Sequence, residues 1–182
     1  MYNNTIIVNL FASPGSGKST TAAGVFCELK QKGIDCELVT EFAKDLVWDE
    51  RYKTFDDQIY LFGKQHHRIF RLKNKVQVVV TDSPFLLGII YMPKEYQYIN
   101  NTIYETHKKY NNLNYFIKRV KPYNPNGRNQ TEEQSDELHQ TIEHMLLNYG
   151  EEFACVNGDS DGIIKITDDI INKLKLLENI VN

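Results

Sequence analysis

Residues 5–20 read TIIVNLFASPGSGKST, and this stretch decides the fold. Thr5 to Phe11 is a short β-branched and apolar run, which suits a strand buried on both faces, as in a parallel sheet. Ala12-Ser-Pro-Gly-Ser-Gly17 follows at once, with the proline and glycines of a tight loop, and Ala22, Phe26 and Leu29 then recur at helical spacing until Gly33 stops the helix. Strand, glycine loop and helix in that order let backbone N–H groups converge on an anion at the helix N-terminus. Residues 12–19 match the phosphate-loop pattern G-x-x-x-x-G-K-[ST] except at the first glycine, where Ala12 keeps the side chain small. Pro14, Gly15, Ser16, Gly17, Lys18, Ser19 and Thr20 are therefore candidate ATP contacts, with Lys18 reaching the β- and γ-phosphates and Ser19 ligating Mg2+.

Working outward, Cys36 to Val39 (CELV) reads as a second strand, and Thr54 opens a long helix with Phe55, Ile59, Phe62 and Ile69 on its apolar face. Val76 to Thr81 is a third strand ending at Asp82-Ser83-Pro84. Residues 94–111 read as one irregular helix and Leu113 to Val120 as a fourth strand. Residues 122–130 form a loop, and Thr131 with Gln134 predicts a capping-box start to the next helix. Phe153 to Val156 is a fifth strand. A closing helix starts at Thr167-Asp168-Asp169 and carries Ile170, Leu174, Leu177 and Val181 on one face. Five strands alternating with helices predict one doubly wound α/β domain over residues 1–182, with a mainly parallel sheet and its ligands at the carboxyl ends of the strands.

The chemistry-bearing residues fall at those ends. Asp82 is placed to be the metal-side acid, or else it caps the turn before Pro84; Ser83 follows it, where a hydrolytic motor carries a water-activating Glu. Glu41 follows the second strand and suits a general base for an acceptor hydroxyl, with Lys44 one turn on to hold an anionic group; the alternative is a solvated helix-start Glu. Arg128, near Arg119 and Lys121, lies in a loop of about residues 119–131 that fits a lid delivering positive charge over the phosphates, or an ordinary exposed loop whose cations pair with Glu132, Glu133, Asp136 and Glu137. Gln58, Gln65 and Arg68 share a helix stripe that could read an acceptor base or lie solvated, and His66 with His67 reads as surface. Asn157 and Gly158 form a loop expected to pack on adenine. The run from Asn157 to Asp168 mimics a calcium loop, but Lys165 stands at the ninth place and Asp replaces the bidentate Glu, so that reading is set aside. Asp159-Ser-Asp-Gly162 also matches a GTPase D-x-x-G, yet it follows the fifth strand and no Asn-Lys-x-Asp accompanies it.

Composition narrows the class. The 182 residues are 41% hydrophobic and 25% charged, enough for one core without a staple. Three cysteines without Cys-x-x-Cys spacing argue against a disulfide framework or a zinc site. The polar start and the brevity of the apolar run Phe85–Met92 predict no secretory leader and no membrane span, so a cytoplasmic protein is expected. A net charge of −3 excludes a general nucleic-acid footprint, although a local basic surface is allowed.

The phosphate loop ASPGSGKSTT, the acid of VTEFAKDLVW, the strand end VVVTDSP and the arginine lid KRVKPYNPNGRNQTEEQ together resemble the P-loop kinase superfamily of nucleoside and nucleotide kinases. More narrowly they resemble small phage-encoded kinases classed with AAA-domain ATPases, some of which phosphorylate 5-hydroxymethyluracil in DNA. The resemblance implies that Glu41 stands where deoxynucleoside kinases place their base and Gln65 near their base-reading glutamine. Ser83 departs from the Arg that those kinases usually carry after the third-strand acid. The expected activity is Mg2+-dependent transfer of the ATP γ-phosphate to a nucleoside, a nucleotide or a hydroxymethylated base in DNA, in host cytoplasm if the chain is phage-encoded. A homodimer is left open. The rival is an ATPase switch acting through a protein partner.

Overall fold

The computed structural model describes residues 4–123 and 131–181, the side chains of Glu178, Ile180 and Val181 excepted. Arg128, most of the expected lid and the predicted role of Val181 therefore lie outside the described residues. Strands β1 (Ile6–Phe11), β2 (Cys36–Val39), β3 (Val78–Thr81), β4 (Asn111–Lys118) and β5 (Ala154–Asn157) form one sheet in the order β2-β3-β1-β4-β5. Every pairing is parallel, so the mainly parallel sheet expected from the sequence is wholly so. The chain leaves central β1 first toward β2 and β3, then crosses to β4 and β5. That reversal opens a crevice at the carboxyl ends of the strands.

The helices are α1 (Lys18–Gln31), α2 (Phe42–Trp48), α3 (Gln58–Phe70), α4 (Leu87–Tyr91), α5 (Tyr98–His107), α6 (Glu132–Asn148) and α7 (Ser160–Val181). No described helix is long and apolar enough to cross a membrane. All six residues of β1 are buried because both faces of the sheet are covered. Ile6, Val8 and Leu10 pack with α1 and α7, and Ile7 and Phe11 pack with Ile69, Leu86, Ile103 and Ile142 from α3 to α6. Each such fully buried side chain contributes about 1.5–3 kcal/mol.

Strand positions agree with the sequence reading to within two residues, and Thr131 and Gln134 close the predicted capping box. Three helix boundaries differ. A 3-10 turn (Tyr52–Asp56) precedes α3, which Asp57 caps by accepting from the Tyr60 N–H at 3.0 Å; Ile59 is 40% exposed, and the inward stripe is Phe62, Gln65 and Ile69. Residues 94–111 hold a 3-10 turn (Lys94–Tyr96), α5 and the first residue of β4. The closing helix starts at Ser160 rather than Thr167, capped by Asp159, whose Oδ1 accepts from the Gly162 N–H at 3.0 Å. A Cβ on Gly162 would stand 1.9 Å from the Asn157 carbonyl, so this glycine serves close packing inside the first helical turn, not a loop.

One polar network crosses the second face. Asn9 Nδ2 donates to Asn112 Oδ1 and Asn114 Oδ1, both at 2.9 Å, and Asn114 Nδ2 donates to Glu151 Oε2. That carboxylate lies 3.0 Å from Nε2 of His107, which is 1% exposed. Burial pulls the His107 pKa below its ordinary 6.5, against the opposing pull of Glu151. Because the unfolded chain then takes up this proton first, the contribution of His107 is complete above pH 6.5 and is lost as pH falls through that value. Chemical unfolding across pH 5–8 is expected to show stability dropping below about pH 6.5 by up to about 1.4 kcal/mol per unit, and His107→Asn to flatten that slope. An unchanged slope would contradict the assignment.

Candidate active site

The loop between β1 and α1 is built to hold its shape. Gly15 and Gly17 take φ of 88° and 87°, a left-handed conformation that a side chain would strain, and the Thr21 N–H already donates to Gly17 O at 2.8 Å, so α1 begins at the loop. Ala12, where the phosphate-loop pattern has glycine, is 2% exposed and packs in the core. From α6, fully buried Ser135 donates its hydroxyl to Pro14 O at 2.7 Å and lies 3.2 Å from Ser13 Oγ, which is itself 3.2 Å from Ser16 Oγ. From the end of β5, Gly158 presses on the same loop: a Cβ there would sit 2.3 Å from Ser16 O and 3.2 Å from Lys118 O. Gly158→Ala forces one of these backbones to move. Overpacking of this kind costs about 1–3 kcal/mol of folding stability, so the variant is expected to melt below the parent, and because Ser16 O is among the backbone atoms that must give, ATP affinity read by calorimetric titration is expected to fall, whereas Gly63→Ala, in open space on α3, leaves it unchanged.

Beside the loop lies a cleft of about 600 Å3, counting its open mouth, lined by Lys18, Glu41, Phe42, Gln58, Phe62, Gln65, Ser83, Phe85 and Tyr91 among others. Lys18 is the first residue of α1, Glu41 stands at the N-cap of α2 and Ser83 follows β3, so three strand ends supply the polar groups. The Glu41 side chain makes no capping bond. Tyr91 is half-enclosed, 50% exposed, and partial burial together with the Glu41 charge raises its phenol above the ordinary value of 10.0. Asp82 is 4% exposed and its Oδ1 has no hydrogen-bond partner among the described residues, while Ser83 N–H is taken by Thr81 Oγ1 at 3.1 Å. A buried carboxylate oxygen without a donor fits a hard cation, and the exposed Ser19 hydroxyl could supply a second oxygen to a magnesium ion. Thr20 is exposed beside it.

The residues expected to bind acceptor fare differently. Gln65 reaches the cleft wall, but its amide is engaged with backbone: Oε1 accepts from Phe42 N–H at 3.1 Å and Nε2 donates to Thr40 O at 3.4 Å. Arg68 is not part of the cleft lining; it donates to Thr40 O at 3.1 Å, pairs with Asp45 and lies 5.1 Å over the Phe42 ring. Lys44 is exposed and also outside the lining. Arg119, just after β4, pairs with Glu132 and Asp136 of α6 and lies 5.4 Å over the Tyr123 ring, with Nη1 buried and without a hydrogen-bond partner among the described residues. Asn157 is exposed, and Gly158 faces the phosphate loop. His66 is not a surface residue: half-buried, it packs among Phe62, Phe70, Phe85 and Tyr110. Sequence reasoning left the tyrosine-rich stretch without a role and did not bring Phe85 or Tyr91 to the site. Asp82-Ser83-Pro84, which marks a strand end, was the available signal that the next residues face the crevice.

This arrangement, a phosphate loop on central β1 and a carboxylate cleft over β2 and β3, defines a P-loop protein with the nucleotide-kinase fold. Residues 8–161 match the model of the AAA domain family AAA_28, and the chain belongs to that family. No curated protein matches it. Among solved structures it is similar to thymidylate kinase from Ehrlichia chaffeensis (TM-score 0.57, 10% identity, 94% of this chain and 99% of that one). It is also similar to deoxyadenosine kinase from M. mycoides with bound dCTP (0.54, 18%, 93% and 98%). A third is the APS kinase CysC of Mycobacterium tuberculosis in complex with AMPPNP and APS (0.50, 13%, 94% and 98%). At these identities the likeness is one of fold.

Proposed function

We propose that the protein is a kinase that moves the γ-phosphate of ATP to a hydroxyl of a nucleoside, a nucleotide or a hydroxymethylated pyrimidine in DNA. The observation that carries this reading is that Lys18 and Glu41, whose side chain makes no capping bond, line one cleft, where a phosphate-binding cation and a carboxylate would flank an acceptor. The loop from Pro14 to Thr20 holds the donor phosphates through backbone N–H groups. Glu41 accepts the acceptor's hydroxyl proton as its oxygen bonds to the γ-phosphorus, and the bond from that phosphorus to the bridging oxygen breaks to leave ADP. Lys18 offsets the charge of the transferring group. Arg128, expected in the lid from the sequence, would add to it, whereas Arg119 is already paired with Glu132 and Asp136. Asp82 and Ser19 would hold a magnesium ion, which supplies neutralising charge to the phosphate oxygens when bound. Gly158 packs on the phosphate loop, and the Asn157-Gly158 turn is where adenine would rest.

The acceptor class follows from the walls. Phe42, Phe62, Phe85 and Tyr91 offer flat apolar faces for a planar base, with Ser83 and the side-chain carbonyl of Gln58 as polar contacts. Lys44 could approach an acceptor phosphate only from outside the cleft. The compartment proposed is the cytoplasm, or host cytoplasm for a phage-encoded chain. ADP release followed as acceptor is added tests the reading. A rate that rises and saturates with acceptor is expected, steeply salt-dependent if the acceptor is DNA. Slow release indifferent to every acceptor would replace the kinase with an ATPase switch.

A further inference from the structure

We infer that Gln65 and Arg68 are positioning residues that fix Glu41 by gripping the backbone on both sides of it, and that Gln65 does not read the acceptor. The inference rests on the kinase reading above, in which Glu41 is the base.

The segment that carries Glu41 has little else to hold it. β2 is an edge strand that ends at Val39, and α2 is a seven-residue helix, so Thr40 to Phe42 lies beyond the sheet ladder and at the fraying end of a short helix. The Phe42 N–H is one of the helix-start donors that no intrahelical carbonyl can satisfy, and the Glu41 side chain does not satisfy it either. Gln65 supplies what is missing. Its carbonyl takes the Phe42 N–H at 3.1 Å and its amino group binds Thr40 O at 3.4 Å, so the two ends of one side chain hold the residues immediately before and after Glu41. At 7% exposed, that amide works where water competes weakly.

Arg68, three residues on and on the same helix face, repeats the grip. It donates to Thr40 O at 3.1 Å, pairs with Asp45 in the first turn of α2 and stacks 5.1 Å over the Phe42 ring. Helix α3 therefore holds Thr40 and Phe42 on either side of Glu41, and Asp45 a turn further on, while none of these bonds ties the Glu41 side chain itself. A base displaced by about 1 Å can lose about 100-fold in rate, which is reason enough for a clamp of this kind. Reading of the acceptor base falls instead to cleft groups such as Ser83, Tyr91 and the side-chain carbonyl of Gln58, whose amino group is held by Phe55 O at 2.8 Å.

Gln65→Met keeps the length and removes both bonds. The expected result is a kcat lower by about 10- to 100-fold, with KM for ATP and acceptor within about twofold of the parent and an unchanged order of preference among acceptors. A raised acceptor KM or an altered preference at preserved kcat would overturn the inference, because that is the signature of a base-reading side chain. Gln65→Glu gives a readout that a merely structural residue would not move. It still accepts from Phe42 N–H but sets a second carboxylate behind Glu41, which otherwise faces Lys18 and Tyr91 in the cleft, with Arg68 and Asp45 behind. The acid limb of its pH–rate profile is expected to move upward; an unmoved limb contradicts the placement. If Gln65→Met does not fold by circular dichroism, Gln65→Glu and Arg68→Lys carry the test. Glu41→Gln, run in parallel, separates the two levels. Full rate in that variant removes the base itself, whereas a slow Glu41→Gln beside a full-rate Gln65→Met removes only the clamp.

Discussion

Lys18→Ala is expected to lower phosphoryl transfer by at least about 10²- to 10³-fold while the protein melts within a few degrees of the parent. The side chain opens α1 at the edge of the cleft, and the helix is anchored elsewhere, through Thr21, Ala22, Val25 and Leu29. Alanine is also at least as good a helix former as lysine, so nothing structural is lost with the ammonium group. What is lost is the only side-chain cation of the phosphate loop, at the point where negative charge shifts toward the leaving oxygen. The measurement is kcat beside a thermal melt. A variant that keeps its rate would show that the loop does not carry the phosphates.

Glu41→Gln is expected to slow transfer by about 10²- to 10⁴-fold with ATP affinity nearly unchanged. The amide keeps the size of the side chain and removes its capacity to take a proton. Because the Glu41 side chain makes no capping bond, the change does not unpin α2, and the backbone on either side remains held by Gln65. The effect on kcat therefore reads chemistry rather than folding. An unchanged rate with intact ATP binding would move the proton-accepting role to another group in the cleft.

Much of this was legible in the chain because the governing interactions are local. The run from Thr5 to Thr20 specifies strand, loop and helix within sixteen residues, and Thr131 with Gln134 announces the start of α6 because both partners of the capping box lie three apart. Glu41 could be placed in the crevice because it stands two residues past a strand end. Other features depend on partners that spacing cannot show. Gln65 on a helix stripe reads the same whether it faces water, a base or the backbone of Thr40 and Phe42, more than twenty residues away. Gly162 looks like a loop residue until the closeness of the Asn157 carbonyl shows why a helix needs it there. Ser135 carries no pattern at all, and only the packing of α6 on Pro14 gives it a part in shaping the phosphate loop.

The central claim is that this cleft transfers phosphate instead of merely releasing it. The most direct measurement follows the labelled γ-phosphate of ATP into a panel of nucleosides, nucleoside monophosphates and DNA with or without 5-hydroxymethyluracil. Label is expected on one acceptor class, absent with Lys18→Ala and greatly reduced with Glu41→Gln. Label that appears only as free phosphate, whatever acceptor is offered, would contradict the kinase and direct attention to protein partners of an ATPase switch.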